Sequence, residues 1–334
     1  MFSIMPVVKN IVCVGNMPKE MCTDDTYAIF DNSIKEIGLD RSFREARAIF
    51  IKPNLTYPTF KEGVTTRFEF VAALVHCLRR INSTTRIIIG EGEGGYNSFS
   101  MSEAMKNMGF EKLVNEYPNV EVVNLSKSPK RLFQIEAFGK PYPLELPGIF
   151  DEVDFAITCP VPKVHCMTGI SLAMKNQWGC VPDVFRLKNH YAFNHIISQI
   201  CASLKFHYVF LDGKWGLDDN GPMRGNPIEL NWFVAANSLG AHDIVVSDMM
   251  GVDWRKIRHL VEAEKRKHIP NLKEIQIIGN PLEIKRVFRL RREFWNYPAL
   301  VAFNSSFLTR LVYLSPMAKI IHEIMYIVRK RQID

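Results

Sequence analysis

Short runs rich in β-branched residues alternate along the chain with longer stretches whose apolar positions recur every three or four residues. That alternation is the rhythm of βα units stacked on a parallel sheet. The runs 11–15, 47–52, 86–90, 120–125, 154–159, 207–213 and 274–279 predict strands. Several are apolar throughout, as in strands covered on both faces. Helical periodicity occupies 23–38, 67–81, 100–117, 193–206 and 253–267, with Asp or Ser near several starts and Gly at some ends to cap them. The pattern predicts an α/β fold, a mostly parallel sheet flanked by helices in one body or two lobes. The main domain spans 10–270, with a soft lobe boundary at the proline-containing stretch 126–150. Residues 281–334, basic and apolar, predict a C-terminal helical extension.

The chemistry concentrates after the strand at 154–159. "PVPKVHCMTGISLAMKNQWG", residues 160–179, puts Lys163, His165, Thr168, Ser171 and Lys175 close together. Ligands of open α/β sheets gather beyond the carboxyl ends of the strands, and an extended segment projects Lys163 and His165 the same way. A helix over 169–178 would carry Ile170, Ala173, Met174 and Trp178 on its apolar face. Thr168, Ser171 and Lys175 would then form a second, polar stripe starting at a helix N-terminus, where an anion is favoured. Lys175 supplies the charge, Thr168 and Ser171 donate hydrogen bonds, and His165 serves as base or metal ligand. The bland alternative is an amphipathic helix with a solvated lysine and a satisfied histidine.

Other stretches join this cluster. In "NHYAFNHIISQI" His190 is the site candidate, one helical turn from Asn194, whereas His195 turns toward the core. Asp212 ends a strand, where an acid can bind a metal or orient a histidine, or simply begin a turn. Asp243 is a second acid for that role. "IIIGEGEGGYNS" matches G-x-G-x-x-G, but Glu91 and Glu93 stand where a phosphate would approach, so a tight turn aiming one carboxylate at the crevice is favoured. Lys52, Asn54 and Asn176 complete the polar lining, and Thr66 suits a helix N-cap.

Composition narrows the partners. A hydrophobic fraction of 47% in 334 residues fills a substantial core and excludes wholesale disorder. The formal charge of +7 favours anionic partners, although much of the excess lies near the C-terminus. No recognised motif supports nucleic acid. Seven cysteines without a C-x-x-C pair suit reduced thiols, and with no signal-like N-terminus the expected compartment is the cytoplasm. The tail lacks a clean run long enough to span a bilayer. With Trp295, Phe303, Phe307 and Tyr313 among basic residues, it suits an anionic membrane surface, placing the protein at the inner face of the membrane, or self-association.

"IKPNL" (51–55) with "TT" (65–66), "IGEGEGG" (89–95), "VPKVH" (161–165) with "MKNQWG" (174–179), His190, "LDG" (211–213) with "NGPMRG" (220–225), and "AHDIVVSDMMG" (241–251) together resemble the family called domain of unknown function 362, over about residues 10–265. The resemblance implies an α/β fold. Many members carry added ferredoxin-type cysteine motifs; this chain has none, so an iron–sulfur cluster is not implied. The order His165, Lys175, His190 is also similar to that of nickel-dependent lactate racemases, whose lysine tethers a pincer nucleotide. Where those have glycines before the lysine, this chain has "SLAM".

These readings converge on an enzyme acting on small anionic substrates, phosphorylated ones included. Lys163, Lys175 and Lys52 would hold the anion, while His165 and His190 move protons or, with Asp212, hold a divalent metal. The competing reading is a non-catalytic binding or membrane-peripheral protein working through its basic tail.

Overall fold

The computed structural model describes residues 10–18, 20–95, 98–318 and 320–321. The N-terminal stretch 1–9 and the basic end of the tail, 322–334, lie outside the described residues. Twelve strands are described: β1 Asn10–Asn16, β2 Ala48–Pro53, β3 Arg86–Glu91, β4 Val120–Asn124, β5 Lys130–Ala137, β6 Lys140–Pro147, β7 Phe155–Cys159, β8 Lys163–His165, β9 Gly169–Ser171, β10 Phe206–Asp218, β11 Asn226–Ala236 and β12 Ile275–Ile278. The α-helices are α1 Asp24–Glu36, α2 Leu39–Glu45, α3 Phe68–Ile81, α4 Met101–Asn107, α5 Glu111–Glu116, α6 Ala173–Asn176, α7 Phe193–Ser203, α8 Leu239–Met249, α9 Arg258–Lys265, α10 Asn296–Phe303 and α11 Ser306–Leu314.

Ten strands form one mixed sheet in the order β12-β1-β11-β10-β7-β2-β3-β4, with β8 and β9 attached beside β10. Parallel pairing runs through β10, β7, β2, β3 and β4, as the βα rhythm predicts. β11 is antiparallel to both β1 and β10. Each face of the sheet has its own core. Along β2, Phe50 joins one core and Ile49 and Ile51 the other, which is why that strand is apolar without alternation. Filling a core on both sides leaves the polar groups of the central strands one place to go, beyond their carboxyl ends.

Several expected elements change shape. The helix expected over 100–117 is two, α4 and α5, separated by Gly109 at φ +89. The irregular stretch 126–150 is the β5–β6 hairpin, whose Ile135, Ala137, Leu144 and Leu146 join the main core. Its prolines are tolerated because a two-stranded sheet is all edge. The tail does form helices, α10 and α11. No helix among the described residues is long and apolar enough to cross a membrane.

Candidate functional site

The expected helix over 169–178 is not formed as one piece. Gly169, at φ +84, closes a hairpin in which Lys163 pairs with Ser171 and His165 with Gly169, so the first residues of the stretch are strand. The helix starts only at Ala173 and lasts one turn before tightening into a 3₁₀ segment at Gln177–Cys180. Thr168 and Ser171 therefore do not share a helical stripe with Lys175. The Thr168 hydroxyl donates back to Ile170 O at 2.9 Å, closing its own turn.

What starts this short helix is an acid seventy residues away. Asp243 on α8, fully buried, accepts from Ala173 N at 2.9 Å through Oδ1 and from Met174 N at 3.0 Å through Oδ2. Two of the free N–H groups of the first turn are satisfied in this way. Oδ1 also lies 2.8 Å from His242 Nδ1. Asp243 was expected to orient a site histidine; it positions the turn that carries Lys175 instead.

Lys52 and Glu91 leave the ends of β2 and β3 and meet as a buried ion pair, Nζ to Oε2 2.7 Å. Glu91 also accepts from Leu55 N at 3.2 Å and from Gly92 N at 3.0 Å. Asn176 ties this pair to β7, donating to Thr158 Oγ1 at 2.9 Å and to Lys52 O at 3.3 Å. A side chain at Gly92 would collide with Gly179 O, so this glycine serves close backbone packing rather than a phosphate loop. Lys52 and Asn176 thus fasten the sheet end to the α6 turn rather than stand free for a ligand. Asn54 Oδ1, by contrast, is buried without a hydrogen-bond partner among the described residues.

Asp212 does not end its strand. β10 continues to Asp218, and Asp212 is gripped by Arg67, whose Nη2 and Nε donate to Oδ1 at 2.6 and 3.0 Å while its backbone N donates to Oδ2 at 2.8 Å. Thr66, expected as an N-cap, instead donates to Cys159 O at 2.6 Å and accepts from Asn54 N at 2.8 Å, lacing α3 to the sheet end. With Asp212 engaged, the expected third metal ligand is lost. Among the described residues no group of three or more His, Cys, Asp or Glu side chains is placed to hold a metal ion.

Lys163, His165, Lys175 and His190 do come together. Burial lowers the Lys163 ammonium well below the ordinary lysine value, and Lys175 is the next cause. His165 is likewise held well below the ordinary histidine value by burial, then by Lys175, Lys163 and His190. Lys163 Nζ donates to Val64 O at 2.7 Å. His165 Nδ1 accepts from Met167 N at 3.1 Å and from Thr168 N at 3.4 Å, which assigns the proton of the neutral ring to Nε2. His165 is therefore a hydrogen-bond donor, not the base it was expected to be.

Lys175 Nζ lies 5.8 Å from the centre of the Phe193 ring, and burial pushes it down from 10.5 to about 8. His190 sits between Trp178 and Phe303, ring centres at 5.8 and 4.9 Å, and burial followed by Lys175 holds it down at about 3. His195 stands apart, against Phe138 and 3.3 Å from Glu262.

Two members were not expected. Arg186 is buried, donates through Nη2 to Glu93 O at 2.8 Å, and leaves Nη1 without a partner among the described residues. His259 on α9 is fully buried, its ring 5.7 Å from Phe193, with both nitrogens unpartnered among the described residues. Burial and then Lys175 hold it at about 3. Trp178 Nε1 is a third buried donor without a partner there. A spacing signal existed for Arg186, one helical turn before His190. For His259 there was a histidine on the buried stripe with Ala263.

The cluster holds Lys163, Lys175 and Arg186, and none of the three has a carboxylate within ion-pair distance among the described residues. Glu91 acts on Lys163, and Glu91, Asp183 and Glu93 act on Arg186, from beyond contact distance, whereas no carboxylate acts on Lys175; an anionic ligand would supply charge at that point.

Comparison with known proteins adds the following. A thylakoid-associated protein of Synechocystis sp. is 25% identical over 141 residues, which make up 40% of this chain and 44% of that protein. The chain thus matches less than half the length of this relative. The lactate racemase apoprotein from Thermoanaerobacterium thermosaccharolyticum superposes with a TM-score of 0.47 at 13% identity, over 73% of this chain and 58% of that one. An overlap that loose transfers no residue role. A family model described as "Domain of unknown function (DUF362)" matches residues 49–248.

Proposed function

Because this chain belongs to the DUF362 family, whose description names no reaction, we propose its activity from the site itself: it binds a small anion and moves a proton on it, with Lys175 as acid and base. The observation that carries this reading is Lys175, beside Phe193 and without an ion pair among the described residues, within electrostatic reach of Arg186, with Arg186 Nη1 and Trp178 Nε1 as buried donors that have no partner there. Arg186 Nη1, Trp178 Nε1 and the Nε2–H of His165 are donors suited to a carboxylate or a phosphate monoester. Lys175, at about 8, populates both protonation states near neutrality, as general acid–base work requires.

On this reading the bound anion offsets the charge of Arg186. Neutral Lys175 takes a proton from the carbon beside the ligand's carbonyl or carboxyl group and returns one to it. His190 and His259, held at about 3, stay neutral and contribute hydrogen bonds rather than charge. The proposed step uses protein side chains, since among the described residues no group of three or more His, Cys, Asp or Glu is placed to hold a metal ion.

The test combines calorimetry with proton exchange. A panel of small carboxylates and phosphate monoesters is titrated into the full chain, and exchange of ligand C–H protons is followed by NMR in deuterated water. At least one ligand is expected to bind and exchange. Lys175→Met should slow exchange by ~10²–10⁴-fold while leaving the fold intact. Arg186→Met should weaken binding. Binding and exchange unchanged in Lys175→Met would remove the site from the reading.

A further inference from the structure

The proposed chemistry uses only the inner side of the last two helices. On α10 and α11, Asn296, Phe303 and Thr309 are buried, with Phe303 against His190. The outer side is apolar as well. Tyr297 and Val301, one turn apart on α10, are 56% and 59% exposed. Phe307 and Leu314, two turns apart on α11, are 72% and 52% exposed, and Phe294 before α10 is 81% exposed. Seven of the sixteen exposed large apolar side chains of the described residues lie between 294 and 320, a concentration that single scattered exposures do not produce.

The sequence around this face is predominantly basic. Residues 294–321 contain no Asp or Glu, and "KRVFRLRR", 285–292, precedes them with only Glu293 between. Arg310 is exposed between Phe307 and Leu314, one turn from each, and Arg286 and Arg289 are exposed in the basic run.

We propose that the outer face of α10 and α11 docks on an anionic lipid surface, the two helices lying in the plane of the interface. Helices of eight and nine residues are too short to span a bilayer but suit its boundary. The arginines complement anionic headgroups. A second copy of the chain fits the face less well, because two-fold pairing sets the same predominantly basic face, with no Asp or Glu in 294–321, against itself. Trp295, Phe303, Phe307 and Tyr313, expected from sequence to form the interfacial face, are not one face: Phe303 points inward to His190 and Phe307 outward.

The test is co-sedimentation of the full chain at low salt with vesicles of phosphatidylcholine alone or of equal parts phosphatidylcholine and phosphatidylglycerol. The chain should pellet with the anionic vesicles and stay in solution with the neutral ones. Arg310→Glu should lower partitioning by about fivefold or more. Val301→Ser combined with Phe307→Ser, at exposed positions where folding is spared, should abolish pelleting with an unchanged urea midpoint. A chain that stays in solution with both vesicle types, or a double variant that pellets like the parent, overturns the proposal. So does a dimer, seen by light scattering, that this double variant dissociates while neither protein binds vesicles.

Discussion

Lys52 and Lys175 lie within electrostatic reach of each other at the same end of the sheet, yet their surroundings are opposite. Lys52 has no exposure, and its ammonium is 2.7 Å from Glu91, with Pro53 O at 3.0 Å and Asn176 Oδ1 at 3.5 Å as further acceptors. Lys175 is half-buried, faces an aromatic ring, and has no ion pair among the described residues. A lysine surrounded by acceptors fastens three strand ends to the α6 turn. A lysine deprived of them is pushed down to about 8, which on the proposed reading lets it exchange its proton with a ligand. One neighbourhood therefore holds both a structural and a chemically poised version of the same side chain.

The largest effect should come from breaking the paired side. Glu91→Gln leaves a buried, uncompensated ammonium and should cost ~3–5 kcal/mol in urea unfolding. Replacing both partners, Lys52→Met with Glu91→Leu, should recover most of that loss. A cost near zero for the single change would mean that the pair does not distinguish Lys52 from Lys175.

The unpaired side should show itself in pH. An unfolded lysine keeps its proton up to about 10.5, whereas folded Lys175 releases it at about 8. Between those values the unfolded chain binds more proton, so raising the pH favours the folded state. Stability from this group should rise across that window, by at most ~1.4 kcal/mol per pH unit, and be flat below it. Urea midpoints across the window should lose the rise in Lys175→Met, and a slope that persists would assign it to another group.

The smallest effect concerns His259. Replacing it with Phe removes two unpartnered ring nitrogens from the core and should change stability by less than ~1 kcal/mol at neutral pH. Because His190 and His259 are held at about 3, stability present above pH 6.5 is lost as pH falls toward 3. His259→Phe should make that acid limb shallower; an equally steep limb would mean that His259 is not buried in its neutral form.

Much of the sheet was legible because its strands are bounded apolar runs. β1, β2, β3, β4, β7 and β12 fall within a residue or two of the expected runs. What failed depended on partners distant in sequence. Asp212–Gly213 reads locally as a turn, but Arg67 and the pairing with β11 carry the strand five residues further. Gly169–Ser171 reads as helix, but pairing with Lys163–His165 makes it strand. Lys163 and His165 were legible as residues leaving an apolar strand, Lys175 from its spacing after them, and His190 from its place one helical turn before Asn194. Arg186 and His259 were not, because each joins the cluster only when its own segment packs against Phe193 or Glu93.

The cap that Asp243 places on the α6 turn also bears on heredity. Two consecutive amides, Ala173 and Met174, depend on a carboxylate seventy residues away, so the position of Lys175 is written in two distant parts of the gene. Loss of the acid at 243 would leave both amides of the turn without this acceptor. A relative that keeps this turn but lacks an acid at the position of Asp243 must carry a compensating acceptor elsewhere. That places α8, which contributes no group to the chemistry, under the same constraint as the residues that do.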